Sequence, residues 1–208
     1  MTSSILPSPI AAELERIYST MENEYDKVAS RIGLSCEGCT DNCCRSYFRH
    51  HTYVEWAYLW QGLRQLEQSR VDRFLERASE YMETANRRLE RNEPPRTMCP
   101  LNEDGWCAVY SHRMMICRLH GVPNQVRMPD GRVKAFPGCH VTRELTRNMD
   151  RVPYLDRTPL YAELAALERR FLGERRETLP KVDLTLAEML LKGPPAPEDR
   201  GQRAEDRS

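Results

Sequence analysis

Eight cysteines fall into two sets whose spacing can hold metal, and no cysteine lies outside them. The first set is Cys36, Cys39, Cys43 and Cys44, four thiols in nine residues arranged as C-x2-C-x3-C-C. The second is Cys99, Cys107, Cys117 and Cys139. Two residues between Cys36 and Cys39 let the chain turn so that both sulfurs face one metal. The vicinal pair Cys43 and Cys44 works differently, because neighbouring side chains point apart. Two centres, or one polynuclear cluster with a further thiol beside it, would use such a pair. The chemistry on offer is thiolate ligation.

These thiols need elements to position them. Ile10, Leu14, Ile17, Met21, Tyr25, Val28 and Ile32 recur at steps of three and four, which predicts a long amphipathic helix over residues 1–35, with Ser8 as cap and Pro9 in its first turn. That helix delivers the chain to the first cysteine loop. Thr52 to Glu55 reads as a capping box opening a helix whose face is Trp56, Leu59, Trp60, Leu63 and Leu66. Ser69 is expected to cap the next, with a stripe from Val71 to Leu89, ended by Pro94-Pro95. The two are expected to form an antiparallel hairpin between the cysteine sets.

From 97 to 141 helical periodicity gives way to turn signals. Asp104-Gly105 precedes a short strand around Trp106–Tyr110, and Asp130-Gly131 marks a hairpin between Gln125–Met128 and Arg132–Phe136. A loop-rich segment of that length needs a staple, and metal supplies one. Residues 36–141 are therefore expected to be the cysteine-cluster segment, and 142–192 to add helices that pack on it. One of these starts at Thr158-Pro159, and another at a second capping box, Thr185 to Glu188. Residues 193–208 read as a disordered tail of Pro, Gly and alternating charge. The fold class expected is mainly α: a small helical domain with a loop-rich, cysteine-bound metal segment and short β-hairpins.

The chain has 31 basic and 31 acidic residues, so no net field points to nucleic acid or an anionic membrane. No apolar run approaches the roughly 20 residues of a membrane span, and the first residues show no secretory signal. A cytoplasmic location follows as an expectation, and there thiols serve metals more often than disulfides.

The second cysteine set carries a resemblance. Cys99-Pro100-Leu101, Cys107-Ala108-Val109-Tyr110, Arg113 and Cys117-Arg118 together resemble the YkgJ-like cysteine-cluster family, described as a zinc- or iron-chelating domain. Its pattern is C-x2-C-x2-C-C, then Cys-Pro-Phe-Leu, then Cys-Ser-Ile-Tyr-x-x-Arg-Pro-x-x-Cys-Arg. Two departures stand out: three residues separate Cys39 from Cys43, and Met114 replaces the proline after the arginine. The resemblance covers residues 36 to 139 and implies metal binding by the cysteines.

Both metals remain open. Eight thiolates could make two tetrahedral Zn2+ sites. An iron–sulfur cluster, 4Fe-4S in type, also takes four cysteines, drawn from a compact run plus remote residues, and is the reading favoured here. For a single cluster, Cys36, Cys39, Cys107 and Cys117 are the first ligands expected. His120 and His140, near Cys117 and Cys139, read as neighbours of the metal or replacement ligands, and His50-His51 as solvent-exposed. Arg113 and Arg118 read as donors to sulfurs or carbonyls, and Tyr110 as core. No phosphate-binding loop, nucleophile elbow or H-E-x-x-H appears, so enzymatic activity is left open. The functions expected are a structural or electron-transfer metal protein, a zinc-stapled module for a protein partner displaying the Trp56–Trp60 helix, or a protein-modifying enzyme. The last rests on similarity to the cysteine segments of flagellin lysine methylases, without a separate methyl-donor motif.

Overall fold

Helix α1 spans Ser8–Ile32, and Leu14, Ile17, Met21, Val28 and Ile32 bury one stripe as their spacing predicts. A computed structural model describes residues 5–37, 39 and 43–195. The start of α1 departs from expectation. Pro7 occupies the cap position and Ser8 is already helical, so no side chain caps that end.

Helix α2 covers Tyr53–Leu63 and is buried on both faces. Its expected capping box does not form. The Thr52 hydroxyl turns inward and donates to Glu55 Oε2 at 2.7 Å. The exposed amides are taken instead by a distant carboxylate: Tyr53 N and Val54 N each donate to Glu168 at 2.8 Å. Glu168 lies on α6, Thr158–Leu172, so a long-range contact does the work of a local cap. Replacing Glu168 with alanine is expected to remove about 1–2 kcal/mol of stability in urea titration, with glutamine recovering part of it.

Helix α3, Gln68–Glu90, begins one residue before Ser69, with Glu67 in the cap position. Its stripe of Val71, Phe74, Ala78, Tyr81 and Ala85 lies mainly against α7, Leu186–Leu191. Helix α2 adds Trp56, Leu59 and Leu63 to the same core. The expected α2–α3 hairpin is thus a looser pair than predicted, because α7, far later in the chain, covers α3. The second capping box forms as read: Glu188 N donates to Thr185 Oγ1 at 3.2 Å and Thr185 N to Glu188 Oε2 at 2.6 Å.

Between α3 and α6 the chain is short pieces. Strands β1 (Asn102–Glu103) and β2 (Trp106–Cys107) pair antiparallel across Asp104-Gly105. Helix α4 is Met115–Leu119. Strands β3 (Asn124–Arg127) and β4 (Val133–Phe136) make the expected hairpin. Helix α5 is His140–Leu145, and β5, Leu155–Asp156, pairs parallel to β3. The protein is mainly α-helical, with two small sheets among the described residues. Of the expected tail, residues 196–208 lie outside the described residues.

Two hydrophobic cores result. One joins α1, α4, Val122, Leu155 and α6; the other joins α3, Leu101, Val109, Met114 and α7. Helix α2 feeds both, with Val54, Ala57 and Tyr58 in the first and Trp56, Leu59 and Leu63 in the second. No helix among the described residues is long and apolar enough to cross a membrane.

Candidate metal centre

Four separate stretches bring the cysteines together. Cys36 and Cys39 follow the end of α1, while Cys43 and Cys44 open a short 3-10 turn, Cys43–Arg45. Cys99 precedes the β1–β2 hairpin, Cys107 ends it, Cys117 sits in α4 and Cys139 caps α5. Cys99 N donates to Cys44 O at 2.9 Å, which ties the two sequence sets through the backbone. None of the eight is in a disulfide. Seven of them, all but Cys139, line one cavity of about 410 Å³. Phe48, His50, Leu59, Tyr81, Val109, Met114 and Leu186 supply much of the remaining wall. Among the described residues, no three Cys, His, Asp or Glu side chains stand at the spacing of a single bound ion.

Electrostatics divides the thiols. Burial first, then Cys36, Cys139, Cys39 and adjacent Cys44, together push the Cys43 thiol up to about 11. The Tyr25 hydroxyl belongs to the same neighbourhood: burial raises it, followed by Cys36, Cys43 and Cys139. Burial raises Cys117 to about 12, with Cys107 and Cys44 adding to it and Arg113 opposing. Cys99 is held well above the usual thiol range by burial, with Cys117, Cys44 and Cys107 contributing. Cys36, Cys39, Cys43 and Cys139 therefore form one group, and Cys44, Cys99, Cys107 and Cys117 the other. Cys44 acts on both, so the two neighbourhoods meet at residues 43 and 44 and do not follow the two sequence sets.

Cys139 reaches its group through a close backbone crossing. Its amide donates to Gly121 O at 2.9 Å, and Thr142 Oγ1 donates to the same oxygen at 2.6 Å. A Cβ on Gly138 would stand 2.3 Å from Gly121 O, and its φ of +82° is left-handed. Gly121 in turn faces Tyr25, whose hydroxyl would lie 2.5 Å from an added Cβ. Gly138→Ala is expected to lower stability by about 2 kcal/mol or more, read by thermal unfolding, because strain and clash coincide.

Cys117 is set by a buried polar frame. Glu55, 4% exposed, accepts from Met115 N at 2.6 Å and from Tyr18 Oη at 3.0 Å. Arg118 donates from Nε to Arg113 O at 2.8 Å, also reaches Ser111 O, pairs with Glu22, and lies 4.1 Å over the Tyr18 ring. The sequence reading of Arg118 as a carbonyl donor thus agrees with its contacts. Arg113 stacks 3.5 Å from the centroid of Tyr110, and that ring is 51% exposed, not core as expected. Both arginines offset negative charge at Cys107.

The histidines are arranged differently from the expectation. His51 is exposed, but His50 is 4% exposed and faces the cavity, and burial holds its imidazole down at about 3. Its neighbours explain this. His50 N and O both bond to Leu184, an isolated antiparallel bridge, so successive side chains alternate. Arg49 and His51 point out to Asp183 at 2.7 and 3.5 Å, and His50 points in. His120 Nε2 is 3.4 Å from Ser46 Oγ and its ring meets Phe48 edge-on, while His140 is exposed at the start of α5. Neither lines the cavity.

The Trp56–Trp60 helix is not a display surface. Trp56 is buried, Trp60 half-buried, and both indole N–H groups donate to Met189 O at 3.2 Å. Glu103 pairs with Arg70, which holds its carboxyl below the usual range. No protein-family model, curated protein or solved structure matches this chain.

Proposed function

We propose that this chain is a metal-binding cysteine-cluster protein, holding iron–sulfur in a structural or electron-transfer role. The observation that carries the reading is the convergence of seven thiols on one cavity from chain segments up to 81 residues apart. Buried thiols with raised pKa are poor nucleophiles and mutually repulsive once ionised; a bound cation reverses both. The donor set therefore fits metal. A single tetrahedral ion, with bonds of about 2.3 Å, would draw its sulfurs to about 3.8 Å from one another. Thiols spread around a cavity of about 410 Å³ suit a polynuclear group better. The residues proposed to hold metal are Cys36, Cys39, Cys43 and Cys139 on one side and Cys44, Cys99, Cys107 and Cys117 on the other. A group held by each set of four would supply thiolate-bound iron able to take or give single electrons. The chain's own contribution is to exclude water with Leu59, Val109 and Met114 and to offset charge with Arg113 and Arg118.

The test is metal and acid-labile sulfide content on protein purified without oxygen. Iron with matching sulfide supports the proposal. Zinc without sulfide replaces it with a closed structural site, and a folded protein with neither metal overturns it.

A further inference from the structure

The buried imidazole of His50 is unaccounted for by the thiols alone. It is 4% exposed, lines the same cavity as seven cysteines, and its ring makes no hydrogen bond to any described residue. Its direction is not accidental. The main chain is clamped on both sides of the residue, with His50 N to Leu184 O at 2.7 Å and Leu184 N to His50 O at 3.1 Å. Outside, Arg49 holds Asp183, so the segment cannot turn over without breaking that pair. An imidazole carries at least one N–H donor in either protonation state. The ring faces the cavity and meets no acceptor among the described residues, so its N–H is available to a group held there.

We propose that His50 is a positioning residue for the metal centre, donating its ring N–H to a metal-bound sulfur in the cavity. The inference rests on the metal-binding reading above. Thiolate is a sound acceptor once metal-bound, and an N–H directed at it withdraws charge and fixes the ligand's orientation. His50 is not needed as a ligand, since eight thiols already complete two four-coordinate sets. His120 does not fill the same role, because its ring already engages Ser46 and Phe48 and lies outside the cavity wall.

The experiment compares full-length wild type, His50→Phe and His50→Gln, all purified without oxygen and exposed to excess EDTA. Phenylalanine keeps the ring and removes the donor; glutamine restores a donor of similar reach. His50→Phe should lose its metal about ten times faster or more, while His50→Gln stays near wild type. If the metal is iron, the reduction potential of His50→Phe should also move to more negative values and return in His50→Gln, a response that packing alone would not give. Should His50→Phe fail to fold by circular dichroism, His50→Leu takes its place against His50→Gln. Equal retention and equal potential in donor and donor-less variants overturn the inference while leaving metal binding intact. A wild type without metal overturns both.

Discussion

Cys43→Ser is expected to abolish one metal centre and spare its neighbour, and Cys44→Ser to do the reverse. Each variant should retain about half the wild-type metal, since each centre needs its own four thiolates. The reason is the 3-10 turn at Cys43–Arg45, which aims consecutive side chains to different sides. Cys43 keeps company with Cys36, Cys39 and Cys139, and Cys44 with Cys99, Cys107 and Cys117. Cys36→Ser should therefore copy Cys43→Ser, and Cys117→Ser should copy Cys44→Ser. The double variant should hold none. Native mass spectrometry, with iron, zinc and sulfide analysis, reads the stoichiometry directly. If either single change empties the protein, one cluster spans both groups. If one of them leaves metal untouched, that thiol is a bystander.

Glu55→Ala should be among the most destabilising single changes in the chain, lowering stability by about 3–5 kcal/mol. Its carboxylate accepts from three donors: Met115 N at 2.6 Å, Thr52 Oγ1 at 2.7 Å and Tyr18 Oη at 3.0 Å. Truncation strands the Tyr18 hydroxyl and the Met115 amide, both on buried residues. It also removes the acceptor at the start of α4, the turn that carries Cys117. In a chain of this size the loss corresponds to a fall in Tm of about 10 °C. Glu55→Gln, which keeps shape and one acceptor oxygen, should lose less than half as much. Tyr18→Phe, removing one donor only, should lose about 1 kcal/mol. Urea unfolding of the four proteins settles the order, and parity between Glu55→Ala and Glu55→Gln would mean the hydrogen bonds do not matter.

Helical periodicity and turn chemistry foretold much of this fold. The stripes on α1 and α3, the start of α6, the Asp104-Gly105 and Asp130-Gly131 hairpins and the Thr185 capping box are all where local rules put them. Several misses share one cause, which is that a distant partner prevailed over a local one. Thr52 looked like a cap, but Glu168 reached its helix from over 110 residues away. Trp56 and Trp60 looked like a candidate display face, and α7 covered them. His50 looked solvated beside His51, yet pairing with Leu184 imposed a strand-like alternation that no pattern in residues 49–51 announces. Which thiols keep company was equally hidden. Spacing groups cysteines by sequence, whereas the turn at Cys43 and the Gly121–Gly138 crossing group them by space.

The double duty of α2 has a consequence for how the molecule comes apart. Val54, Ala57 and Tyr58 belong to one core and Trp56, Leu59 and Leu63 to the other, on a helix of only 11 residues. Neither core can melt without baring half of that helix, and a helix of that length does not persist alone in water. The two halves are thus obliged to unfold cooperatively, in one calorimetric transition and not two. Hydrogen exchange should find the slowest amides along Ala57–Gly62, where both halves hold the same backbone.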